Sequence, residues 1–199
     1  MTSKTLASGV LMATIAVVTL WGNSACEKGS GTPRGIPPEI VADYVHAVIE
    51  ADRTFYTVHV VERLQSKGTL VASENWRAAN TLPLPAQFLM ESSDLAAKTG
   101  TKVRYRLIGL WPINKQNGPA SEFEHNGLEA VQVDPGRTYT GIIASGKEQL
   151  FVAVYADRAV TQACIGCHNA HPNSPKRDFK LNDVMGGIVI TIPLGPQSG

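Results

Sequence analysis

Two cysteines and a histidine stand together at Cys164-Ile165-Gly166-Cys167-His168. Cysteines three positions apart fall on one helical turn, so both thiols can reach one flat partner from the same side. In this order that partner is haem: the thiols form thioethers with its two vinyl groups, and His168 is held under the iron as proximal ligand. With three cysteines and five histidines in 199 residues, the pattern arises by chance on the order of one time in a thousand. Two other chemistries use such residues. A zinc site wants four ligands at characteristic spacing, whereas Cys164, Cys167, His168 and His171 are crowded into eight residues without a second C-x-x-C. A thioredoxin-like dithiol accompanies a βαβ pattern, which the order of elements here does not show. One covalently attached haem c is the reading carried forward.

The elements that must position this site follow an export signal. Lys4 precedes an uncharged, largely apolar run that ends in small residues at Ser24 and Ala25, a secretory pattern over 1–25. The run is short for a bilayer core and no comparable one follows, so the membrane is expected to enter only through the signal or a lipid. Cys26 directly follows a small residue, where a lipoprotein signal places its modified cysteine, although Asn23 stands where Leu is usual. Lipidation at Cys26 and an ordinary signal peptide are both open. The expected location is the periplasm or another exported compartment.

Residues 26–38 are rich in Gly, Pro and Ser and read as a flexible tether. A domain over 39–195 follows. Pro37 and Pro38 before an apolar spacing, and Gly68 after it, predict a long helix over 39–67 with Val41, Val45, Val48 and Phe55 on one stripe. Helices are also expected over 73–79 and 86–98. After Gly100 the period changes to two, with strands expected over 103–111, 128–133, 138–143, 150–156 and 187–192. Helices first and strands later give an α+β protein: an antiparallel sheet with a long N-terminal helix and flanking helices packed on one side or end. The C-x-x-C-H segment falls in a loop or short helix between the last two strands. A net charge of +1, from 18 basic and 17 acidic residues, gives no field suited to nucleic acid.

Several segments together also resemble a known family. They are Glu50-Ala51-Asp52-Arg53 with Tyr56-Thr57, Leu82-Pro83-Leu84-Pro85-Ala86, and Leu110-Trp111-Pro112-Ile113-Asn114-Lys115-Gln116-Asn117. Phe151-Val152-Ala153-Val154-Tyr155-Ala156-Asp157, the C-x-x-C-H motif and Asp183-Val184-Met185-Gly186-Gly187 complete the set. By these the chain is similar to the DUF3365, or Tll0287-like, haem domain family over nearly all of 39–195. The resemblance implies a PAS-like fold with haem between an N-terminal helical part and the sheet, and a sensory or redox role. It carries Cys164, Cys167 and His168 across. In some relatives the sixth iron ligand is unusual, cysteine included.

Candidates for a sixth ligand here are His46, His59, His125, His171, Met90, Met185 and Cys26. At 100° per residue His59 shares the Val41 stripe while His46 points about 140° away, which favours His59. Met185 precedes Gly186-Gly187, where backbone can approach a flat cofactor. Met90, beside Phe88 and Leu89, reads as core. His171 is too close to His168 to reach the opposite haem face. A lipidated Cys26 could not bind iron. An open site is a further alternative. Arg53, Arg77 and Lys115 are candidate partners for haem propionates.

Three roles accept the haem. The chain could sense redox state or a diatomic gas ligand and act on a separate signalling protein, since no output module follows the last expected strand. It could carry electrons to a redox partner. It could be a haem enzyme such as a peroxidase, but no acid–base set is identifiable for that. The expectation is a non-enzymatic, cytochrome-like protein in electron transfer or sensing.

Overall fold

A computed structural model describes residues 35–196. The signal segment, Cys26 and the tether up to residue 34 lie outside the described residues. The long helix forms as α1 (Pro38–Phe55), passes through a π-helical stretch (Tyr56–Glu62), and ends as α2 (Arg63–Ser66). Proline at its first turn forfeits no helical hydrogen bond, and Glu39 there complements the helix dipole. Gly68, at φ +64°, follows its end in the left-handed conformation that closes helices. At the entry to the π stretch the Thr57 hydroxyl donates to the Arg53 carbonyl at 2.7 Å.

The buried face of this rod is Ala42, Ile49, Arg53, Thr57 and Val61. Val48 and Phe55, expected on the core stripe, are each 62% exposed. The expectation failed because two polar side chains, Arg53 and Thr57, lie on the inner face. Val45 of the same stripe packs against the core, so the apolar positions straddle the boundary between core and water.

A one-turn helix, α3 (Trp76–Ala79), replaces the longer helix expected there, and α4 (Pro85–Ala97) forms as expected. Then come β1 (Arg104–Ile108), α5 (Glu122–Val133), β2 (Tyr139–Ser145), β3 (Glu148–Arg158), α6 (Gln162–Ala170) and β4 (Val184–Pro196). The strands form one antiparallel sheet in the order β1-β4-β3-β2. Successive side chains of β3 serve opposite faces. Phe151, Ala153 and Tyr155 pack with Ile188 and Ile190 of β4 against Ala42, Ile49 and Leu89 of α1 and α4. Val152 and Val154 pack with Val189 against Leu128 and Val131 of α5. The fold is α+β as expected, with helices on both faces of the sheet rather than one.

The layer on the second face is α5: residues 128–133, expected as a strand, belong to this helix. Ser121 caps it, accepting from the Glu124 amide at 3.3 Å, while the Glu124 carboxylate accepts from the Ala120 amide at 2.6 Å. The Ser-x-x-Glu spacing ahead of the apolar run was the available signal. Among the described residues no helix is long and apolar enough to cross a membrane.

Candidate functional site

The chain leaves the sheet at Arg158 and enters α6 within three residues. Hydrogen bonds fix that exit: the Ala159 amide donates to the Asp183 carbonyl at 2.9 Å, and the Asn182 amide to the Ala159 carbonyl at 3.0 Å. The start of α6 is thereby tied to the start of β4. The Cys164 amide donates to the Thr161 carbonyl at 3.2 Å, and Thr161 Oγ1 lies 3.6 Å from Cys164 Sγ.

Cys164 and Cys167 are both free thiols on one turn of α6, Cys164 half-buried and Cys167 exposed. Burial pushes the Cys167 thiol up, and Glu74 and Cys164 push it the same way. No group of three or more His, Cys, Asp and Glu converges as a metal site among the described residues.

The next residue, His168, turns inward. Its Nδ1 is buried with no hydrogen-bond partner. Burial lowers its pKa, and the positive charge of Arg53 and then His171 act in the same direction. The imidazole is accordingly neutral at pH 7 with its lone pair available to a ligand. Phe179 meets the ring edge-on, 5.8 Å away at 90°. Asn169 holds Phe179 there, accepting from its amide at 3.0 Å and donating to its carbonyl at 2.9 Å. Beyond Phe179 stands Trp111, 6.1 Å away at 67°, and the Lys176 ammonium lies over both rings. Neither Asn169 nor Phe179 carries a sequence signal, because they converge only when 176–180 folds back on α6.

On the rod side, Arg53 makes a two-point ion pair with Asp157, at 2.9 and 2.8 Å, both residues being buried. Two of its nitrogens are thus committed within the protein, leaving buried Nε without a partner. Arg77 is likewise committed, bonded through both terminal nitrogens to Glu91 at 2.6 Å and stacked over Trp76. Lys115 is exposed and has no ion-pair partner among the described residues. As propionate partners, then, Arg53 has one nitrogen without a partner, Arg77 has its carboxylate already, and Lys115 is unengaged.

The expected sixth ligands are also dispersed. His59 faces water beside Phe55, ring centres 4.9 Å apart, contrary to its expected inward orientation. His46 points inward instead: it stacks on Tyr155 at 3.9 Å, and its Nε2 is buried and unpartnered. The rod buries its His46 side and exposes His59, the reverse of the expectation. Met185 is half-buried at an irregularity where the β3–β4 register shifts. The glycine after it serves the sheet, since a Cβ on Gly186 would lie 2.3 Å from the Ile108 carbonyl oxygen. Met90, read as core, is 41% exposed. His125 lies half-exposed near Glu129, 3.9 Å away. His171 accepts from the Asn173 amide at 3.2 Å and approaches Glu74 at 3.7 Å.

A family model described as Tll0287-like matches residues 39–193. A solved structure, that of the cyanobacterial heme-protein Tll0287, is similar at 15% identity and a TM-score of 0.48, covering 82% of this chain and 100% of that one. No curated protein matches the chain.

Proposed function

We propose, since this chain belongs to the Tll0287-like family and carries C-x-x-C-H on an exposed helical turn, that it is an exported, cytochrome-like haem c protein serving electron transfer or redox and small-ligand sensing. The carrying observation is the pairing of two free thiols on α6 with a neutral, inward-turned His168 whose Nδ1 the protein leaves unpartnered. These residues fit haem. Cys164 and Cys167 would fasten it through thioethers. His168 would give the iron its proximal nitrogen.

Bound there, haem supplies one-electron iron chemistry and a position for a diatomic ligand. The chain's part is placement and electrostatics. Asn169 fixes Phe179, Phe179 limits how the His168 ring can tilt, and Arg53 disfavours a proton on that ring. A peroxidase would need an acid–base set on the open face of the iron, and the sequence identifies none; the role proposed is non-enzymatic. The ring series His168, Phe179, Trp111 supports the electron-transfer branch, because it runs from the proposed ligand to a half-buried indole. Export rests on the 1–25 segment and membrane attachment on Cys26.

Expression with a c-type maturation system tests the reading. The wild type should retain haem through denaturing electrophoresis, and Cys164→Ala with Cys167→Ala should lose it. Haem retained by that variant would overturn the covalent site. A low-spin haem indifferent to carbon monoxide favours electron transfer; an iron that takes up the gas favours sensing. The mass of the mature protein shows whether Cys26 carries lipid.

A further inference from the structure

The rod from Pro38 to Ser66 presents an apolar row to water. Ile40, Tyr44, Val48 and Phe55 are 40, 66, 62 and 62% exposed, with exposed Ala47 and Ala51 among them. Single exposed apolar residues are ordinary on a protein surface, but a row along one helix marks a contact. Steps of four overshoot a 3.6-residue turn, so such a row would drift around a regular helix. The wider turn of the π stretch brings it back. Exposed His59, Arg63 and Lys67 thereby continue the Ile40–Phe55 row.

The row is acidic at its start and basic at its end. Glu39 and Asp43 are exposed beside its first apolar residues, and Arg63 and Lys67 close it. We infer that this face pairs with a second copy of the chain, the two rods running antiparallel about a two-fold axis near Ala51. That axis sets Arg63 opposite the partner's Glu39, and Phe55 opposite the partner's Ala47. At these two pairs large meets small and cation meets carboxylate, each contact made twice as a two-fold interface requires. A parallel pair would set Glu39 against Glu39 and Arg63 against Arg63. Contact along a rod of about 40 Å falls at the low end of the ~1,200–2,000 Å² that stable dimers bury. Association is therefore expected at micromolar chain concentration.

Sedimentation of the mature, haem-loaded chain over the micromolar range tests this. The expected result is a concentration-dependent dimer. Val48→Asp and Phe55→Asp should each raise its dissociation constant by at least about tenfold while leaving the far-ultraviolet and haem spectra unchanged. Arg63→Glu should weaken it, and adding Glu39→Arg to that variant should restore it, as only antiparallel pairing allows. A monomer at every concentration overturns the inference, as does a dimer indifferent to Val48→Asp and Phe55→Asp, or a failure of Glu39→Arg to restore. A monomer that instead floats with zwitterionic phospholipid vesicles overturns it in favour of a membrane surface.

Discussion

Arg53 and Asp157, 104 positions apart in the chain, form a buried two-point ion pair whose guanidinium charge reaches His168. The pair joins the rod to the end of β3. Burial pushes the Asp157 carboxyl up, and the guanidinium opposes this only in part. Arg53→Ala should leave a buried carboxylate without compensation and cost about 3–5 kcal/mol. Arg53→Met with Asp157→Leu should recover most of that loss. Urea unfolding of the three proteins at equal slope checks the cycle, and equal midpoints for the single and double variants would sink it.

Gly186 and Gly166 should respond oppositely to alanine. A Cβ at Gly186 meets the backbone oxygen of Ile108 at 2.3 Å, so Gly186→Ala must push β1 from β4 and should cost at least about 1–3 kcal/mol. Gly166 lies inside α6 with nothing within 4 Å. Gly166→Ala should stabilise the haem-free protein by about 0.5–1 kcal/mol through helix propensity. Thermal and urea unfolding read both.

His46 should give the protein a pH-dependent stability. Burial lowers its pKa from the ordinary 6.5, against the opposing pull of Glu50 and Asp43. The unfolded chain therefore binds the proton more readily. The contribution of neutral His46 is complete above about pH 6.5 and is lost as pH falls toward the folded value. The melting temperature of His46→Phe, which keeps a ring stacked on Tyr155, should fall less on acidification from about pH 7.5 to about pH 5. Parallel curves for the two proteins would show that His46 does not titrate against folding.

His59→Ala should leave the ferric absorption spectrum unchanged and shift stability by less than about 0.5 kcal/mol, because the side chain stands in water beside Phe55. A shifted Soret band would mean that His59 turns inward to meet the iron.

The sequence by itself determined the local features. The C-x-x-C-H spacing brings Cys164, Cys167 and His168 together on about one turn once the segment is helical, as it is in α6. The rod after Pro37-Pro38, and β2, β3 and β4 near their places, followed from periodicity and from glycine and proline punctuation. The tertiary structure decided everything that depends on which face is covered. Arg53 and Thr57 lie inward because Asp157 and a helix carbonyl satisfy them there, and that turned Val48, Phe55 and His59 to solvent. The apolar run 128–133 became helix because Ser121 and Glu124 close its first turn and the second face of the sheet needs a layer. Phe179 and Asn169 joined the site only through the hydrogen bonds between the Asn169 side-chain amide and the Phe179 backbone, formed when 176–180 folds back on α6. Periodicity reports how a segment is built; burial is a property of its partners, which the segment does not contain.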